Sequence, residues 1–352
     1  MKETIGGGIV KLKNILSWLI LGLAIAVNSV SPSIAQNSQL IKFSTMDPET
    51  GSFTSCFTQP FLEDLVQASG GRIEIETYMG GTGFANPLRQ YEQAARGVID
   101  ITHGVLSYNP GQFAMTEIAT MPLLFDDAVA ASRAINKLAP QYLAGEFKDI
   151  HLMAILVTPP LYVHQRDAIT DLDGLKGKRV RSTGVGAKAF LEAFGAIPVQ
   201  LPSPAVYENL QTGVIDGALQ DSLALHEFRI SEVAGHHLEV NTTVALLFLG
   251  MNKRTLARLP ADLQEIITTE FSGPEVGARA SQCWTDLGAE LVTELKAEGQ
   301  IFTSLSEEDV ARAKAVSIEI AEDYINALQD RGKPARAFYD ALVAELAAQS
   351  NQ

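Results

Sequence analysis

The chain is poor in cysteine, tryptophan and positive charge. It holds two cysteines, two tryptophans, and 27 lysines and arginines against 41 aspartates and glutamates in 352 residues. Cys56 and Cys283 are too few to build a disulfide scaffold, and they have no zinc or iron–sulfur spacing. In an oxidising compartment they either pair or stay as two buried thiols, and the sequence does not choose. The six histidines are scattered except for His236-His237, whose side chains point apart on a helix or a strand, so no metal site is expected. A formal net charge of −14 disfavours nucleic acid and anionic lipid as partners. There is no G-x-S-x-G elbow and no zinc helix motif. No lysine-serine or lysine-threonine pair follows Gly80-Gly81-Thr82-Gly83, so a phosphate loop is excluded as well.

Long apolar runs are missing everywhere but near the start. There, Lys2, Lys11 and Lys13 precede the uncharged run Ile15 to Val27, and Ser33-Ile34-Ala35 closes the segment with small residues. That order is a secretory signal, and its apolar part falls short of the roughly 18 residues a membrane span needs. Residues 1–35 are therefore predicted to be removed near Ala35 and Gln36, leaving an exported, periplasmic chain. Lys2, Lys11, Lys13 and Glu3 leave with it, so the formal net charge moves to about −16.

What the chain does have is an internal echo. Tyr91 to Asp100 reads Y-E-Q-A-A-R-G-V-I-D, and Tyr207 to Asp216 reads Y-E-N-L-Q-T-G-V-I-D. Each copy predicts a helix ending at a left-handed glycine, followed at once by a β-branched strand. A spacing of 116 residues suits one lobe of a two-lobed protein rather than a solenoid repeat. In an open α/β sheet the residues beyond such a strand line the ligand crevice. Those are His103-Gly104-Val105 in the first copy and Leu219-Gln220-Asp221 in the second.

The rest of the pattern supports an α/β clamshell with interleaved lobes and long C-terminal helices. Strands are predicted at Leu40–Ser44, Arg72–Tyr78, His151–Val157, Tyr162–His164, Lys178–Arg181, Ala196–Gln200 and Val244–Met251. Helices are predicted at 55–69, 127–143, 184–194, 261–270, 275–298 and 306–329, and the apolar run Met121 to Phe125 is expected in the core. No low-complexity linker divides the chain. Residues 36–158 are assigned to lobe I, with a return segment at about 245–285. Residues 159–244 are assigned to lobe II, with the C-terminal helices from about 286 to 352.

Lys178-Arg179-Val180-Arg181 is the densest basic spot in this acidic chain. On a strand, Arg179 and Arg181 share a face, as either a charge-protected sheet edge or a bidentate carboxylate grip. Tyr108, beside Asn109-Pro110-Gly111, either meets a ligand or plugs a core edge. Trp284 is read as core, and Asn252 as a helix N-cap.

Several segments then match a known family in order. D-G-L-K-G-K-R-V-R-S-T-G (Asp173 to Gly184) and V-Y-E-N-L-Q-T-G-V-I-D-G (Val206 to Gly217) carry most of the likeness. Ser69 to Tyr78, Gly97 to Ile101, Tyr108 to Phe113 and Met251 to Gln264 add to it. The chain resembles the substrate-binding proteins of tripartite ATP-independent periplasmic (TRAP) transporters over nearly its whole mature length. The resemblance implies a non-enzymatic receptor, without cofactor or ATPase, that closes on a small organic anion and hands it to a membrane permease. It implies that Arg181 grips the ligand carboxylate and that Arg179 is structural. It places a second-lobe contact at Gln220, where many relatives carry tryptophan or asparagine. Further contacts are expected from the Gly80–Asn86 turn, including Asn86, and from Ser107 and Tyr108. Asp221 has two readings: a cap on local backbone, or a ligand-facing acceptor that selects hydroxylated or zwitterionic acids. The rival classes are a secreted hydrolase and the binding protein of an ATP-driven importer.

Overall fold

The computed structural model describes residues 38–349, so the predicted signal segment lies outside the described residues. Eleven strands form two sheets among these residues. In chain order they are β1 (Gln39–Ser44), β2 (Ile73–Tyr78), β3 (Ile101–Val105), β4 (Ile150–Val157), β5 (Tyr162–Gln165), β6 (Arg179–Ser182), β7 (Ile197–Gln200), β8 (Gly217–Gln220), β9 (His236–Glu239), β10 (Leu246–Asn252) and β11 (Ile301–Ser304). The first sheet runs β2-β1-β3-β10-β4 and the second β11-β9-β5-β8-β6-β7.

Apolar content decides which strands are central. Leu246–Asn252 is buried at every residue and lies antiparallel between β3 and β4. It belongs to the first sheet although it follows β5 to β9 of the second in sequence. The chain thus crosses between sheets at 158–161 and again at 240–245. The two crossings are stitched together: Thr158 donates its amide to the Ala245 carbonyl (3.1 Å) and Leu161 to that of Thr243 (2.8 Å). The long helix Pro274–Ala297 serves both lobes. Its Val276, Ala280 and Trp284 pack in the core under the first sheet, and its Leu291 and Leu295 pack in a core of the second.

Two expectations are corrected. The C-terminal helices were assigned to lobe II, and the start of Glu307–Gln329 does pack there through Ala313, Val316 and Ile320, yet Ile325, Leu328, Phe338 and Leu342 pack in the first lobe's core with Ile135 and Phe147. Amphipathic spacing says which face of a helix is buried but not against which lobe. Of the run Met121 to Phe125, Leu123 is exposed rather than core. It takes a left-handed φ of 59° where the chain turns out of a short 3-10 helix. Cys56 and Cys283 form a disulfide that ties the segment before helix Gln59–Ala68 to the long shared helix.

Candidate ligand-binding cleft

The two arginines of β6 have separate fates. Arg179 is partly exposed and pairs with Asp216 at 2.8 Å, which holds that carboxyl below the usual aspartate range through the hydrogen bond. Arg181 is 1 % exposed, the largest fully buried side chain among the described residues. A buried guanidinium is tolerated only when its donors are met. Here all five N–H groups find oxygen. Nε donates to the Leu201 carbonyl (3.0 Å), Nη1 to the Leu219 carbonyl (3.0 Å) and Gln220 Oε1, and Nη2 to Tyr108 Oη (3.1 Å) and Ser203 Oγ (3.3 Å).

Tyr108 reaches this arginine from the other lobe. It sits in the 3-10 turn Leu106–Tyr108 that follows β3, and its hydroxyl also accepts the Ser203 amide at 2.8 Å. Gln220, the last residue of β8, completes the ring by donating Nε2 to Ser203 Oγ (2.9 Å). Tyr108, Arg181 and Gln220 are therefore one polar cluster across the cleft. Ser203, which sequence reasoning missed, is its fourth member. The only local signal for it was a serine just before the Pro204 that opens a helix.

The remaining predicted residues divide. Asp221 caps helix Ser222–Glu227 through Ala224 N (3.1 Å), and its Oδ1 also accepts the Trp284 indole N–H (2.7 Å). Burial pushes its pKa up, while these two donors pull it down. The capping reading of Asp221 is the one its contacts show, although its side chain still borders the cleft. Ser107 lies behind the cleft, bonding Thr183 through its hydroxyl and accepting Gln200 Nε2 on its carbonyl (3.2 Å). Asn86 is not brought to the site. It is exposed, and its Oδ1 accepts the Leu88 amide (3.0 Å) within its own turn. Asn252 caps the next helix through Thr255 N (2.9 Å), as expected, and Trp284 is buried yet also walls the cleft.

Beyond the cluster the walls are apolar and aromatic: Phe53, Leu161, Phe228, Leu247 and Trp284. The Phe53 and Trp284 rings lie 4.4 Å apart. Asp47 and Glu227 also line the space, and neither was marked in the sequence. Arg181 is the only lysine or arginine among the lining residues. The enclosed volume is about 20 Å³, so protein side chains nearly fill the cleft. A larger groove of about 580 Å³ opens beside Leu62, Val66 and Ile75. It is wide but carries Glu49 and Glu63 and no basic residue, so it offers nothing to hold an anion.

Comparison with known proteins agrees with this architecture. The family model for bacterial extracellular solute-binding proteins, family 7, matches residues 44–327. A TRAP solute-binding protein from Rhodoferax ferrireducens, solved with copurified benzoate, superposes with a TM-score of 0.85 at 26% identity, covering 89% of this chain and 99% of that one. A marine metagenome TRAP protein specific for aromatic acids, solved with 3-hydroxybenzoate, gives 0.84 at 25% identity, covering 88% and 98%. The C4-dicarboxylate-binding periplasmic protein of Rhodobacter capsulatus is 24% identical over 87% of this chain and 96% of its own. With the family model spanning most of its length, the chain belongs to the bacterial extracellular solute-binding proteins of family 7.

Proposed function

We propose that this protein is an extracytoplasmic receptor for a monocarboxylate with an aromatic or apolar body, which it delivers to a TRAP-type membrane permease without doing chemistry on it. The observation that carries this reading is the charge pattern of the cleft. One guanidinium, Arg181, faces walls built from Phe53, Phe228 and Trp284 and from the acids Asp47, Asp221 and Glu227. A carboxylate meets the arginine, an aromatic ring meets the rings, and a second carboxylate meets only like charge. The benzoate and 3-hydroxybenzoate bound by two structural relatives support the same class, and a plain dicarboxylate fits less well.

Ligand entry requires movement. Small-molecule sites typically enclose about 300–1,000 Å³, far more than the about 20 Å³ here. The lobes separate about the crossings at 158–161 and 240–245, and Tyr108 Oη and Gln220 Oε1 leave the guanidinium edge to the incoming carboxylate. Those two oxygens stand where the ligand's two oxygens bind. Truncating one partner of a buried charged pair costs about 2–5 kcal/mol. Arg181→Ala is therefore expected to weaken benzoate binding about 30-fold or more with the fold intact, and Arg181→Lys to recover only part of it. Calorimetry returning wild-type affinity for the alanine variant would sink the assignment.

A further inference from the structure

The cleft has a second polar corner, away from Arg181, and its hydrogen bonding is incomplete. Asp47 follows β1 in the first lobe. Its Oδ2 accepts the Thr45 hydroxyl (2.7 Å) and His103 Nδ1 (2.8 Å), which fixes the carboxylate, and no hydrogen bond is found at Oδ1 among the described residues. The Asp47 side chain is 6 % exposed, and the open part of its carboxylate borders the cleft. Glu227 comes from the second lobe, at the end of helix Ser222–Glu227. Its Oε1 accepts the amides of Ser52 (2.6 Å) and Phe53 (3.1 Å), and its Oε2 is buried with no partner. Gly51 makes room for that oxygen: a β-carbon there would stand 2.2 Å from it.

Two carboxylates from opposite lobes thus line one cleft, and the Oε2 of Glu227 is buried there without a donor. Desolvation raises the pKa of Glu227, and the charge of Asp47 raises it further. An acceptor-only atom held out of water calls for a donor. Glu227 lies one helix, about 9 Å of rise, along from Asp221, which directly follows Gln220.

We infer that Asp47 and Glu227 form a subsite for a hydrogen-bond donor carried at the far end of the ligand, a hydroxyl or amino group on the ring of an aromatic acid. The inference rests on the monocarboxylate reading above and adds what that reading leaves open, the second functional group. It also gives that group a part in closure. A donor set between Asp47 and Glu227 bonds to both lobes and relieves their repulsion, whereas an unsubstituted ring leaves two acids facing each other as the lobes approach.

The test is a calorimetric comparison of benzoate with 3- and 4-hydroxybenzoate and 3-aminobenzoate. The wild type is expected to bind the best substituted acid about tenfold or more tighter than benzoate, the return on one hydrogen bond to a charged acceptor. In Glu227→Gln, which keeps an oxygen for Ser52 and Phe53, and in Asp47→Asn, that ratio is expected to fall towards one. Thermal unfolding verifies that each variant is folded, and Glu227→Gln decides alone if Asp47→Asn is not. A wild-type ratio near one, or a ratio unchanged in the folded variants, overturns the subsite. If no aromatic acid binds, the aromatic reading falls by itself. The corner is then judged on 4-hydroxybutyrate against butyrate, where equal affinity overturns it too.

Discussion

The two copies of the G-V-I-D segment occupy equivalent places in the two lobes. Gly97 and Gly213 both take a left-handed φ, 74° and 72°. Ile99 and Ile215 are both fully buried, while Val98 and Val214 are both about half exposed. The aspartates do the same work. Asp100 donates its amide to the Lys42 carbonyl and accepts the Lys42 amide on its carboxylate (2.9 Å). Asp216 does so with Arg179 (2.8 Å). Each clamps its strand entry to the neighbouring parallel strand, β1 in one lobe and β6 in the other. The lobes part company one strand later. In the first lobe β3 carries His103, which holds Asp47 from behind, and leads into Tyr108. In the second, β8 delivers Gln220 straight to Arg181. A shared register device sets both strands, and the two lobes differ in the residues at and beyond the carboxyl ends of those strands.

The largest expected break in this symmetry is covalent. The first lobe's Phe53–Phe57 segment is tied to the shared helix by Cys56–Cys283, next to Trp284, and no disulfide anchors the second lobe among the described residues. Replacing both cysteines by serine is expected to lower unfolding free energy by about 2–4 kcal/mol. Denaturant titration checks it, and an unchanged midpoint would leave the bond without a stabilising role.

The lobes also differ in how they hold buried charge. Arg181 in the second lobe has five acceptors, whereas Glu117 in the first is nearly buried with its pKa pushed up to about 7, first by desolvation and then by the charge of Glu146. Because this folded value lies above the unfolded one near 4.5, the favourable contribution is full below about pH 4.5 and is lost as pH rises through about 7. Glu117→Gln is expected to flatten that part of the stability curve and to add on the order of 3 kcal/mol above pH 7. A parallel pH profile in wild type and variant would show that Glu117 is relieved by some other means.

Legibility in the sequence divides along the same line between local devices and contacts across lobes. Local periodicity located most of the strands between Gln39–Ser44 and Leu246–Asn252, the helices beginning near Asp127 and Ser306, and the cap at Asn252, because each depends on neighbours within a few residues. The basic spot from Lys178 to Arg181 stood out in an acidic chain, while the choice of Arg181 over Arg179, and of Gln220 as its neighbour across the cleft, came from the family resemblance. Asp47 and Glu227 were not readable. They lie 180 residues apart, each is an ordinary acid in a loop or at a helix end, and only the meeting of two lobes makes them a pair. Asn86 failed for the opposite reason: the glycine-rich turn looked like a ligand loop, yet its polar groups serve the turn itself. Short β9 and β11, four residues each, carried too little pattern to mark as strands.

The smallest expected effect probes the shared device itself. Asp100→Ala removes the acceptor for the Lys42 amide, in a strand flanked on both sides by β2 and β3, and for the Thr255 hydroxyl. Both bonds are partly buried, and losing the two together is expected to cost about 1.5–3 kcal/mol. Asp216→Ala removes the acceptor for the Arg179 amide and a guanidinium pair that is partly exposed. The pair itself is worth about 0–1 kcal/mol, because its guanidinium regains water when released, so the total loss is expected to be nearer 1–2 kcal/mol. The two sites lie in different lobes with no shared partner, so the double variant should equal the two single losses within about 0.5 kcal/mol. Chemical denaturation of the three variants measures this. A much larger loss at Asp216, or strong coupling between the sites, would mean that the two copies look alike but are not the same device.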